Sequence, residues 1–171
     1  MHELFGPVGQ IGYVVDDLET AAQHWFDTTG IGPWTVVKQV PLDHFTYNGE
    51  DADVQFGMAT AYTGDVQIEL IQQHNDTPSM YRELSETFGP GVQHVCFYPP
   101  DYDAALDHAL ATGFSVGQEG ALGGIRFAYL RGPGGMVIEL GDISDAIRSK
   151  RDEHIAKSAA WDGTDPVRIR G

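Results

Sequence analysis

The chain has 171 residues, 42% of them hydrophobic, which suffices for one compact domain with a buried core. With 10 Lys and Arg against 25 Asp and Glu its net charge is −15, a field that repels nucleic acid and anionic membrane and disfavours anionic carriers such as coenzyme A and glutathione. Neither a signal-peptide pattern nor an apolar run of membrane-spanning length is present, and the lone Cys96 has no internal disulfide partner, so the chain is expected to be cytoplasmic.

The first element is a strand over 8–15, VGQIGYVV, where Gln10 interrupts an apolar run and shares one face with Val8, Gly12 and Val14. A helix follows over 17–29, opened by an Asp pair and closed by Gly30. Strands are predicted at 34–40, 54–62 and 66–72, the last containing Ile68-Glu69-Leu70. Between them the polar stretch Pro41 to Asp53 reads as a loop or lid that borders the site and moves without ligand. A linker helix is expected within 76–91, bounded by Pro78 and by Gly89-Pro90.

The same order then recurs: strand 92–98 with His94, helix 102–112 ending at Gly113, and strands 115–119, 125–130 and 136–141. The last carries Ile138-Glu139-Leu140, and LGG and GPGG mark the hairpin turns. Residues 143–160 predict a helix capped by Ser144, with a thin apolar stripe of Ile143, Ile147 and Ile155 that docks on the body or a partner. Beyond it the tail is extended, with Trp161 as an anchor.

Offsets expose a duplication: Gln10 and His94, Asp17 and Asp101, and His24 and His108 are all 84 residues apart. Alone, a histidine in a strand is most often a packed residue, and a glutamine or glutamate there is a surface or barrel residue. Placed at equivalent positions of a repeat, Gln10, Glu69, His94 and Glu139 supply one nitrogen and three oxygen donors, a mixture suited to a divalent cation. Such a set fits a six-coordinate ion with two exchangeable waters, whether Zn, Ni, Co, Mn, Fe or Mg. The remaining histidines occupy terminal, loop, tail or helix positions. Cys96, two residues after His94, reads as a small buried hydrophobe.

On the opener IGYVVDDLETA, the paired IEL segments, the HVCF strand and the ending GPGGMVIEL, the chain resembles the vicinal-oxygen-chelate superfamily over roughly residues 5–143. That resemblance implies an α+β fold in which two βαβββ modules form a cupped mixed sheet, to which this chain adds a C-terminal helical tail. The domain is then 1–143 (module one about 5–73, linker helix 76–91, module two about 92–143), followed by a helix and extended tail over 144–171. It further implies metal ligands Gln10, Glu69, His94 and Glu139, the four residue types of the glyoxalase I branch, and a homodimer. Methylmalonyl-CoA epimerase differs at two of the four, and an extradiol dioxygenase, needing two histidines, is disfavoured by the single one here.

By the same analogy the function is that of a metal-dependent lyase or isomerase/epimerase moving an alpha proton on a small oxo or acyl substrate. Glu139 is the first candidate base and Glu69 the second. The competing reading is a cup that sequesters a hydrophobic or aromatic compound without catalysis. Arg126, on a predicted strand, is either a clamp for a substrate carboxylate or a surface arginine. Phe45, Tyr47 and Phe56 are candidates to line the cup, with core packing as their alternative use.

Overall fold

A computed structural model describes residues 2–170; Met1 and the last residue of the predicted tail, Gly171, lie outside it. A helical turn, α1 (His2–Phe5), leads into β1 (Val8–Val14). Module one continues with α2 (Leu18–Thr29), β2 (Trp34–Val37), β3 (His44–Tyr47), β4 (Glu50–Asp51), β5 (Phe56–Thr63) and β6 (Val66–Gln73). After the linker helix α3 (Met80–Phe88), module two comprises β7 (Gly91–Phe97), α4 (Tyr102–Ala111), β8 (Ser115–Leu122), β9 (Ile125–Arg131) and β10 (Val137–Asp142). The tail adds α5 (Asp145–Ala159) and β11 (Val167–Arg170).

Local chemistry sets the helix starts. Asp17 accepts a hydrogen bond from the Thr20 amide at 2.8 Å, and Asp101, its counterpart in the repeat, accepts one from Ala104 at 3.0 Å. Ser79 and Ser144 cap α3 and α5 in the same manner. Each cap satisfies an amide that the helix itself leaves free. Gly30 ends α2 with φ 74°, a left-handed conformation that glycine adopts without steric cost.

All strands join one mixed sheet in the order β11-β2-β5-β6-β1-β7-β10-β9-β8-β3-β4. The two modules meet where β1 and β7 pair antiparallel, and outward from that seam, with the β3–β4 pair set aside, each module repeats one arrangement, β1-β6-β5-β2 on one side and β7-β10-β9-β8 on the other. On the outer face small residues let the helices approach closely: Ala59 and Ala61 beneath α2, and Ala128 beside Ala105 and Ala109 of α4. The inner face carries a separate cluster in which Val14, Phe56, Ile71 and Tyr129 of the sheet meet Met80 and Tyr81 of α3.

The segment Pro41 to Asp53 differs from its expected loop form. It holds the hairpin β3–β4, turned by Asn48 (φ 51°) and Gly49 (φ 81°), and β3 crosses to pair with β8 at the far edge of module two. Two adjacent left-handed residues are what a type I′ hairpin turn requires, and Asn-Gly is its preferred pair. The segment does border the cup, through buried Phe45, but as a hydrogen-bonded part of the sheet. The extended tail likewise becomes β11, parallel to β2, with the Trp161 ring lying over Gly32, where a Cβ would collide with it.

Candidate metal centre

Each module's first strand bulges at the residue just before its special side chain, Gly9 before Gln10 and Gln93 before His94. A bulge places two residues opposite one and so re-aims a side chain. Gln93 is thereby 6% exposed instead of facing outward, and its Oε1 accepts from Nδ1 of His94 at 2.5 Å. That hydrogen bond puts the ring proton on Nδ1 and leaves the Nε2 lone pair pointing into the cup, as a metal-binding imidazole needs.

Around Nε2 stand the other three predicted residues. Gln10 Oε1 is 3.2 Å away, Glu139 3.0 Å and Glu69 3.7 Å. Donor atoms of Glu69, His94 and Glu139 all lie within 4.8 Å of one another. Gln10 presents its oxygen because its amide nitrogen donates to Gln67 at 2.7 Å, and Gln67 in turn donates to the Tyr62 hydroxyl at 3.0 Å. Gly12 makes room for the assembly, since any Cβ there would fall within the imidazole of His94.

The electrostatics favour a cation. The His94 side chain is fully buried and those of Glu69 and Glu139 are 12% exposed, so two carboxyl groups share a space largely closed to water. Burial first, and then the neighbouring Glu139 charge, push the Glu69 carboxyl up to about 7, against partial compensation from His94 and Gln10. Oε2 of Glu139 is buried without a hydrogen-bond partner. Oxygen and imidazole donors converging on an uncompensated carboxylate form a set that fits a divalent ion.

Tyrosines wall the centre. The Tyr129 ring stands edge-on to His94 at 4.8 Å between centroids, opposite Glu139 in the β9–β10 ladder. Its hydroxyl accepts from that of Tyr81 at 3.3 Å. Burial raises both phenols well above their ordinary range, so both remain protonated.

Of the four aromatic or basic residues expected to contact substrate, two reach this wall. Phe56 packs on Tyr81 at 5.4 Å and Phe45 on Phe127 at 6.4 Å, each one ring removed from Tyr129. Tyr47 turns its hydroxyl to Glu83, beneath Arg131. Arg126 is not brought to the centre: it lies over Tyr102 at the start of α4 and pairs with Asp142 and Asp103. Gln93, Gln67, Tyr81 and Tyr129 escaped the sequence reading. Strand alternation puts Gln93 on the outer face, and only Tyr129 was within reach, by counting back from Glu139 across the GPGG turn.

Over residues 9–129 the chain matches the family model of the Glyoxalase/Bleomycin resistance protein/Dioxygenase superfamily. No curated protein matches it in sequence. Among solved structures it is similar to a hypothetical protein from Bacillus halodurans (14% identity, TM-score 0.62, covering 81% of this chain and 95% of that one). It is similar also to methylmalonyl-CoA epimerase from Mycobacterium tuberculosis (19%, 0.59, 87% and 95%). A third is the Streptomyces coelicolor methylmalonyl-CoA epimerase in complex with 2-nitronate-propionyl-CoA (20%, 0.55, 82% and 96%). At these identities the likeness is one of fold.

Proposed function

We propose a function from one premise: the chain belongs to the glyoxalase/bleomycin resistance protein/dioxygenase superfamily. Within it the protein is a metal-dependent lyase or isomerase/epimerase that moves a proton on carbon next to a carbonyl of a small oxo or acyl substrate. The observation that carries this reading is the convergence of Gln10, Glu69 and Glu139 on Nε2 of His94, with one carboxylate oxygen left unpartnered.

Gln10, Glu69, His94 and Glu139 would hold a divalent ion, which when bound supplies Lewis acidity toward a carbonyl oxygen. The chain's own groups do the rest. Glu139, whose Oε2 is free of hydrogen bonds, takes the proton from carbon, and the electron pair left behind moves toward the carbonyl oxygen. Glu69 stands across Nε2 from Glu139 and is the second candidate to hold or return that proton. The tyrosine wall and the α3 side chains Met80 and Tyr81 keep water from this side of the centre. With a net charge of −15, a free oxo acid suits the chain better than a polyanionic acyl carrier.

The test is a solvent deuterium exchange screen over 2-oxo acids, hydroxy ketones and acyl thioesters, monitored by NMR. Exchange next to the carbonyl that disappears on chelation and returns with added ion is the expected result. Failure across the panel, together with retention of an apolar compound by metal-free protein, would instead support sequestration, which the aromatic side chains packed into the cup also suit.

A further inference from the structure

The cup is covered on its Tyr98 side by the tail. A cavity of about 410 Å³ lies between α5 and the sheet, within the range of small-molecule sites. Val8, Ile143 and Ile155 are among its apolar walls, and Tyr98 lines it as well. That tyrosine follows His94 and Cys96 on the inner face. Its ring lies over Gly9 and Gly141, the residues beside Gln10 and Leu140, where any Cβ would strike it. The cavity therefore borders the start of β1, the strand that carries Gln10.

Two guanidinium groups face this space. Arg151 lies over the rings of Tyr62 and Tyr98, at 5.7 and 5.6 Å, and donates to the carbonyls of Gly9 and Asp65. Its Nε is buried without a partner. Arg148 donates to the carbonyls of Tyr98 and Pro99. Elsewhere in this acidic chain Arg82, Arg126 and Arg131 are all paired with carboxylates, whereas among the described residues neither Arg148 nor Arg151 forms an ion pair. Two guanidinium groups held by neutral carbonyls, with no carboxylate in ion-pair contact, line a partly apolar cavity, and a guanidinium fork suits a carboxylate. Asp65 and Asp152 also line the space and would repel a dianion.

We infer that the cavity beneath α5 is an anion pocket that takes the carboxylate of a short-chain organic acid, with Arg151 and Arg148 as its receptors. Identifying that acid as the substrate rests on the proton-transfer reading; the pocket itself does not.

Calorimetric titration of the full chain tests it, using 2-oxobutanoate, its methyl ester and inorganic phosphate, on metal-loaded protein and on His94→Ala. The acid is expected to bind both proteins saturably, and the ester and phosphate at least tenfold more weakly. Arg151→Gln should weaken the acid at least tenfold, and so should Ile155→Trp, which fills the cavity while leaving both arginines in place. Absence of saturable binding, or equal binding of acid and ester, or of acid and phosphate, would overturn the pocket. So would binding lost in His94→Ala but retained in both cavity variants, since the carboxylate would then sit at the metal centre. Tight, arginine-dependent binding without any proton exchange would leave the pocket standing and remove the proposed reaction.

Discussion

Module one and module two present the same backbone positions to the centre and fill them with different chemistry. At the equivalent bulges module one has Gly9, which seats the Tyr98 ring, and module two has Gln93, which holds His94. Two residues past the special side chain, Gly12 leaves room for the imidazole while Cys96 fills its own position with a buried sulfur. Opposite the two candidate glutamates, Thr60 faces Glu69 and Tyr129 faces Glu139. Module one is thus carved to receive, and module two supplies the imidazole, its buttress and the aromatic wall. A duplicated fold makes this division cheap, because backbone symmetry delivers both sets of side chains to one seam while each copy specialises.

Exchanging the two glutamates for glutamine breaks the comparison most sharply. Glu139→Gln keeps a neutral oxygen donor and removes the base, so turnover should fall about 10²- to 10⁴-fold while part of the metal is retained. Glu69→Gln should be milder. Deuterium incorporation from solvent measures both, and equal losses would erase the assigned asymmetry.

Next in size is metal affinity. His94→Ala removes the only nitrogen donor and should cost more than the ~10–100-fold expected of Gln93→Leu, which removes only the partner of Nδ1. Competition with a chromogenic chelator ranks them; unchanged metal content in His94→Ala would exclude this centre.

Packing gives a smaller effect. Gly12→Ala forces the His94 ring to move and should cost ~1–3 kcal/mol in urea unfolding. Alanine at Cys96, the same position in module two, only removes a sulfur and should leave the metal in place. A Gly12→Ala protein of parental stability and metal content would show that the imidazole does not sit where described.

The mildest test is pH. The folded Glu69 carboxyl, at about 7, lies above its ordinary value of 4.5. Between those two values the native state binds more protons than the unfolded chain, so metal-free protein should lose stability as pH rises from 4.5 through 7. A divalent ion should restore more stability at pH 8 than at pH 5, as read from melting temperature. A flat profile in metal-free protein would mean that Glu69 and Glu139 are not crowded together.

Alternation within strands and the internal repeat, seen as an 84-residue offset at the openers and a second Ile-Glu-Leu at the close, were enough to predict two βαβββ modules and to single out Gln10, Glu69, His94 and Glu139. Both signals are periodic and local, so they survive in one dimension. The Asn48-Gly49 turn was equally legible, yet the polarity around it read as a loop; β8, the strand that takes β3 into the sheet, comes some 70 residues later. Gln93 was hidden for a different reason. A bulge is a mismatch between two strands, and neither strand encodes it alone.

By itself, then, the sequence determined the repeat, the helix caps and the four donors, because each depends on residues near one another in the chain or at a regular spacing. Tertiary structure alone decided that Arg126 pairs outside the cup, that Gln93 turns in beside His94, and that α5 brings Arg148 and Arg151 to the cavity lined by Tyr98. Those outcomes depend on where separate elements dock. Docking is settled by the total surface buried and the hydrogen bonds satisfied across the molecule, a sum in which no single segment carries the answer.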